Sequence, residues 1–209
     1  MAPDPNPEAV EFDDVAFRYS NYDTPFWARP NSEHGRWHEV GDEPTQYLST
    51  TVEGAWAELI RTAEISSEPE VALVRMPMWA VQVHLKRLAV YGTFERAAVA
   101  GFPPDALVDE DYSRCQAEGR RLRDAGFQGV ISPSAALPGT TNLTIFGPRI
   151  ASSWNFRPVL ASSIPATEIA VGSPPEGIVD RVRQRGSTHT SLEAYLQASR
   201  PGGDRTDSD

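Results

Sequence analysis

Hydrophobic and polar positions along the chain change period several times, and each change predicts an element. Val15-Ala16-Phe17-Arg18-Tyr19 is a β-favouring run closed by turn-forming Ser20 and Asn21, which makes it the first strand. A long polar and aromatic stretch follows, with Trp27, Pro30, Gly35, Arg36 and Trp37. Loops of that length are usually functional or disordered, and tryptophans argue against disorder. A second short strand, Gln46-Tyr47-Leu48-Ser49, leads into a helix capped by Thr50 or Thr51, with Glu53 in its first turn. Ala55, Leu59 and Ala63 recur there at four-residue spacing, and Trp56 and Ile60 follow one step on. From Met78 to Tyr91 the period falls to two, with Trp79, Val81, Val83 and Leu85 set against Gln82, His84 and Lys86, which is a strand. A second helix runs from about Glu110 to Ala125 and stops at Gly126. Strands at Gly129–Ile131 and Leu143–Phe146 flank a turn-rich segment holding Ser132, Pro133, Ser134, Pro138 and Gly139. A strand over Ile164–Val171 and two short C-terminal helices complete the pattern.

Many strands interrupted by few helices predict an α+β domain with a mixed, mostly antiparallel sheet core and flanking helices, not a regular βαβ alternation. Neither Gly-x-Gly-x-x-Gly nor a P-loop is present. Residues 1–14, with Pro3, Pro5, Pro7 and five acidic groups, and the Gly-, Asp- and Ser-rich residues 199–209 read as loose tails around one domain over 15–198.

A chain of 209 residues can bury one sizeable core, and 40% hydrophobic with 23% charged residues is an ordinary globular balance. The sequence contains no apolar run of the roughly 20 residues a membrane helix needs, and its N-terminus lacks the basic-then-apolar order of a signal peptide. Cys115 stands alone, so there is no internal disulfide and no Cys-x-x-Cys, and the expected location is cytoplasmic. A net charge of −10 argues against direct nucleic-acid binding, so an anionic ligand would need a local cluster of arginines. Lys86 is the one lysine among 19 basic residues, so an arginine is not informative merely by being one.

His34 and His38 lie four apart beside Glu33 and Glu39, but Gly35 and the loop composition disfavour the helix a His-x-x-x-His zinc pair needs, and the expectation is no metal. Ser134 sits in Pro-Ser-Ala rather than Gly-x-Ser-x-Gly, so a serine hydrolase is disfavoured and a turn serine capping backbone groups is the default. The stretch from Gly35 to Glu58 is more informative, because it brings a loop arginine, a strand tyrosine and a helix glutamate close together in sequence. Tyr47 offers a ring face for stacking, Glu58 borders the apolar face of its helix, and Arg18 among Phe17 and Tyr19 needs an anionic partner if buried. Each also admits a plain structural role: a satisfied core tyrosine, a solvated carboxylate, an internal salt bridge.

The ordered runs Phe17-Arg18-Tyr19, Gly35-Arg36-Trp37, Tyr47-Leu48-Ser49 and Ala55-Trp56-Ala57-Glu58 resemble the RES domain, named for its Arg, Glu and Ser residues. Gly129-Val130-Ile131-Ser132-Pro133-Ser134-Ala135, followed by Asn142-Leu143 and Phe146, is similar to a further motif of that family. The resemblance, over about residues 15 to 160, implies an ADP-ribosyltransferase-like fold and a NAD-degrading toxin that cleaves the nicotinamide–ribose bond and passes ADP-ribose to phosphate or water, with transfer to a protein on the same fold as an alternative. It implies NAD as substrate, no permanently bound cofactor, and a helix-turn-helix antitoxin as partner; a non-catalytic nucleotide-binding module is the rival reading. By the resemblance Arg18, Tyr19, Arg36, Tyr47 and Ser134 contact NAD, with Arg18, Tyr47 and Glu58 carrying the chemistry and Glu58 as the catalytic acid. One departure stands out: the family commonly reads Gly-Arg-Trp-Asn, and this chain has His38 after Trp37.

Overall fold

The computed structural model describes residues 7–26, 28–153 and 163–200. Trp27, residues 1–6 of the expected N-terminal tail and residues 201–209 of the expected C-terminal tail lie outside the described residues. Seven strands, β1 (Ala9–Tyr19), β2 (Thr45–Ser49), β3 (Met76–Val90), β4 (Gly129–Pro133), β5 (Thr141–Phe146), β6 (Ile150–Ser152) and β7 (Ser163–Gly172), form one sheet. Among the described residues five α-helices flank it: α1 (Val52–Thr62), α2 (Glu68–Val71), α3 (Phe94–Val99), α4 (Ser113–Asp124) and α5 (Thr190–Ala198). The fold is α+β, and the pairings are antiparallel except β3 with β4 and β6 with β7. Among the described residues, no helix is long and apolar enough to cross a membrane.

The sheet runs β1-β2-β5-β4-β3-β7-β6, and β1 also pairs with β3, so the ladder closes on itself. β1 lies along β3 from Ala9–Ala89 to Tyr19–Met78, yet meets β2 at the single pairing of Phe17 with Ser49. The two strands therefore splay apart beyond that point, and their divergence opens a cleft. Leu48, Val81, Val83, Leu85, Leu88, Leu143, Ile145 and Ile164 form a core cluster inside the sheet layers. α1 lays Ala55, Trp56, Leu59 and Ile60 against Met78, Leu137, Ile178 and Val182.

The first strand begins at Ala9, six residues before the expected Val15, so residues 9–14 are strand rather than tail. Val10 and Phe12 pack on the sheet core while Glu11, Asp13 and Asp14 face outward, and that acidity hid the two-residue period. α4 starts at Ser113 rather than Glu110, because the Asp109 and Asp111 carboxylates accept from the N–H groups of Glu110, Asp111 and Ser113 and hold the approach in turns. α1 is capped as expected, with Thr51 Oγ1 accepting from Gly54 N at 3.0 Å. α2, α3 and β6 were not expected from the pattern; each spans six residues or fewer, below one clear period.

Candidate active site

The cleft between β1 and β2 has a volume of about 780 Å³, within the range of about 300–1,000 Å³ typical of small-molecule sites. β1 supplies Arg18 and Tyr19, β2 supplies Tyr47, α1 supplies Glu58 and Arg61, and residues 29–38 form the rim with Arg36. Five arginines line it, Arg18, Arg29, Arg36, Arg61 and Arg185, against two carboxylates, Glu33 and Glu58. A chain of net charge −10 thus concentrates positive charge in this cleft.

Arg18 donates from Nη1 to Gln46 Oε1 at 2.8 Å, a neutral acceptor, and makes no ion pair among the described residues. Burial lowers its pKa to about 10, which still leaves it charged at neutral pH. Arg36 is likewise held by neutral groups: Nη1 donates to the carbonyls of Asp109 at 2.8 Å and Ala106 at 3.3 Å, and the guanidinium lies 4.6 Å over the Tyr112 ring. Arg18 and Arg36 are thus oriented by direct bonds to neutral groups, with no ion pair at either among the described residues, although Arg36 also feels the Glu110 carboxylate at longer range.

Tyr47 is fixed by its hydroxyl. Trp37 N–H donates to Tyr47 Oη at 2.9 Å, and Tyr47 Oη lies 2.8 Å from His38 Nδ1. His38 Nε2 is 2.9 Å from the Glu33 carbonyl, which can only accept, so Nε2 carries the proton and Nδ1 accepts from Tyr47. Burial favours this neutral imidazole by pushing the His38 pKa below its ordinary value, and burial raises the Tyr47 pKa, so the hydroxyl stays protonated. His38, the departure from the family pattern, is therefore the residue that locks Tyr47. A Cβ at Gly35 would stand 2.2 Å from His38 Cε1 and 2.6 Å from Tyr47 Oη, so a side chain cannot enter there without moving the pair. With its hydroxyl committed, Tyr47 offers the cleft its ring.

The rim is held from behind by α4. Gln116 Nε2 donates to the carbonyls of Gly35 at 3.0 Å and His38 at 3.2 Å, and Arg123 Nη2 donates to that of Trp37 at 2.9 Å. Between them Gly119 lets the backbone approach, since a Cβ there would lie 2.5 Å from Trp37 O. Trp37 is 1% exposed and stacks on Tyr91 at 6.3 Å, so the long loop is anchored.

Glu58 Oε1 accepts from Ser134 Oγ at 2.8 Å and Asn142 Nδ2 at 2.6 Å, which leaves Oε2 without a partner among the described residues. The carboxylate is thus anchored by one oxygen and offers the other. Ser134 is fully buried, does not line the cleft, and accepts from Ala136 N at 3.2 Å and Leu137 N at 3.0 Å. Instead of a ligand contact, its place is that of a clamp on Glu58, with the turn-serine role expected from its sequence context. Tyr19 lines the cleft; burial and then the charge of Glu58 raise the pKa of its hydroxyl. Of the expected site residues, Arg18, Tyr19, Arg36, Tyr47 and Glu58 share one cleft, and Ser134 stands behind it. Asn142, Gln46, Arg61 and His38 were not placed in the site by sequence reasoning, although Asn142 lay inside a quoted motif. Among the described residues, no group of three or more His, Cys, Asp or Glu side chains could hold a metal ion.

Residues 13–159 match the sequence model of the RES domain, which is most of the chain. The chain belongs to the RES domain family. A probable NAD(+) phosphorylase of Mycobacterium tuberculosis is 34% identical over 119 residues, which are 57% of this chain and 56% of that relative's length. The chain thus spans little more than half of that curated RES relative. A chain in the crystal structure of the M. tuberculosis MbcT–MbcA toxin–antitoxin complex superposes with a TM-score of 0.59 at 18% identity, covering 77% of this chain and 86% of that one, so the two share a fold.

Proposed function

We propose that this RES domain cleaves the nicotinamide–ribose bond of NAD and passes ADP-ribose to phosphate or water. The observation that carries the reading is the Glu58 carboxylate, anchored through one oxygen by Ser134 and Asn142 in a cleft lined by five arginines and the Tyr47 ring. The likeness to a probable NAD(+) phosphorylase supports it.

Breaking that bond builds positive charge on the ribose, as in glycoside hydrolysis. Oε2 of Glu58 accepts from the hydroxyl beside the reacting carbon and stabilises that charge as it forms. Arg18 and Arg36, neither in an ion pair among the described residues, hold the pyrophosphate, and the ring of Tyr47 packs on the departing nicotinamide. The bond's electron pair leaves with the nicotinamide, whose ring nitrogen becomes neutral.

Purified protein mixed with NAD, with and without phosphate, tests the reading by chromatography of nicotinamide and the ADP-ribose product. Nicotinamide release is expected; none under any condition, from folded protein, would sink it. Intact-mass analysis of added proteins detects ADP-ribose transfer to a protein acceptor instead. The same reading puts the reaction in the cytoplasm and gives the chain an antitoxin protein of the helix-turn-helix type as partner, supported by the fold shared with a toxin–antitoxin complex.

A further inference from the structure

Arg61 lies three residues beyond Glu58 on α1, so the two side chains leave the same helix face with Cβ atoms about 5–6 Å apart. It lines the same cleft and is 4% exposed. Its Nη2 pairs with Glu110 Oε1, while its Nε finds no partner among the described residues. Glu110 is shared: Arg183 Nη2 lies 3.5 Å from the same oxygen, and Arg36 also acts on it. Burial works against ionisation of Glu110, yet the Arg61 bond and the surrounding guanidiniums hold its pKa below the usual carboxylate range. Burial and then the charge of Arg61 push the pKa of Arg183 below its ordinary value. Arg61 and Arg183, with side chains only 5% and 9% exposed, share Glu110, which is 36% exposed, and Arg36 acts on it too. Asp109 is the other carboxylate that acts on Arg183, so guanidiniums still outnumber carboxylates, an excess that an anion would relieve.

Arg18 stands on β1 and Arg36 on the rim, both suited to a pyrophosphate, whereas Arg61 is tied by helix geometry to the carboxylate that serves the reacting carbon. We infer that Arg61, backed by Arg183 across Glu110, forms a separate subsite for the inorganic phosphate acceptor. The inference rests on the reading that the cleft cleaves NAD. In the step it serves, an anionic oxygen of hydrogen phosphate forms a bond to the ribose carbon as the carbon–nitrogen bond to nicotinamide breaks. The electron pair goes to the nicotinamide nitrogen, the proton stays on the phosphate, and the product is ADP-ribose 1-phosphate. No base is required, in contrast to attack by water, which must lose a proton.

Two measurements test the subsite: calorimetric titration of inorganic phosphate into the NAD-free protein, and initial rates with phosphate and NAD varied independently. Arg61→Gln should raise the KM for phosphate by about tenfold or more while the KM for NAD moves by less than about threefold, and Arg61→Lys should recover part of the loss. Glu110→Gln should do the opposite: it frees the guanidiniums and tightens phosphate binding, an outcome that packing damage would not produce. If Arg61→Gln raises both KM values in parallel, Arg61 belongs to the NAD pyrophosphate site and the inference is overturned. No phosphate binding by the wild-type protein, weaker binding in Glu110→Gln, or nicotinamide release indifferent to phosphate overturns it equally, the last leaving NAD cleavage intact. Absence of any nicotinamide release removes the underlying reading, and the titration still decides whether the phosphate site exists.

Discussion

Asn142→Ala isolates one of the two bonds that orient Glu58. Asn142 Nδ2 donates to Glu58 Oε1 at 2.6 Å, while its Oδ1 is buried without a partner among the described residues. The substitution therefore removes a bond to a carboxylate and deletes an unsatisfied acceptor. Its backbone stays in place, paired with Ser49 and Ser132 in the ladder. A hydrogen bond to a charged group contributes about 1.5–3 kcal/mol. Where the oriented carboxylate matters in the transition state, that converts to a fall in kcat of about 10–100-fold. Stability should change little, with Tm shifted by less than about 4 °C for a domain of this size. The assay is nicotinamide release from NAD at saturating phosphate, run as a double-mutant cycle with Glu58→Gln. Asn142→Ala should be costly on the native background and close to silent on Glu58→Gln, because the group it orients is already altered. Equal losses on both backgrounds would show that Asn142 acts elsewhere, and a near-normal rate in Glu58→Gln would remove Glu58 as the acid.

Gly35→Ala forces a Cβ to within 2.2 Å of His38 and 2.6 Å of Tyr47, so it should cost about 1–3 kcal/mol in urea unfolding and raise the KM for NAD; unchanged values would mean that the rim yields freely. Arg18→Met keeps the stem but removes the charge, and should raise the KM for NAD by about 10–100-fold; Arg18→Lys should restore only part, since an ammonium lacks the planar fork. His38 and His189 both have pKa values pushed below the ordinary 6.5 by burial, so the unfolded chain binds their protons more readily. Their contribution to stability is complete above pH 6.5 and is lost as pH falls through the folded-state values. Denaturation between about pH 7 and pH 5 should show that slope, and His38→Asn should flatten it; identical slopes in the two proteins would contradict the assignment.

Five of the residues that line the cleft were legible in the sequence, but not the wiring that holds them. Arg18, Tyr19, Arg36, Tyr47 and Glu58 sit on strand, loop and helix positions that periodicity and motif order could place, and they meet in one cavity. Period shows which face a residue occupies without naming the side chain opposite. Glu58 meets Ser134 and Asn142 across 76 and 84 positions of chain, and no local rule connects them. The second helix was legible as an element, yet the task of its Gln116, Gly119 and Arg123 face, gripping Gly35–His38, emerges only when α4 lies behind the rim. Arg61 was hidden by the abundance of arginine, which made a single guanidinium uninformative until its half-paired state appeared. His38, noted as a departure, gained its meaning from Tyr47.

The orientation of Glu58 depends on chain far beyond its own helix, and beyond residue 159, where the RES match ends. Ser134 holds Glu58, and the peptide that places Ser134 is itself tied from the C-terminal side. His189 Nε2 donates to the Ser134 carbonyl at 3.0 Å, and Arg183 N donates to that of Ala136 at 2.8 Å. Leu192 N in turn donates to His189 Nδ1 at 3.2 Å, which fixes the ring as the cap of α5. Ile178, Val179 and Val182 pack in the same cluster as Ala55, Trp56 and Ile60 of α1, so one apolar contact seats both the helix that carries Glu58 and the segment that secures its clamp. A buried clamp of this kind transmits displacement because close-packed interiors yield little. The region past the recognisable motifs is therefore part of the site's support: loosening it would misplace Glu58 while leaving every cleft-lining residue of the motifs in the sequence.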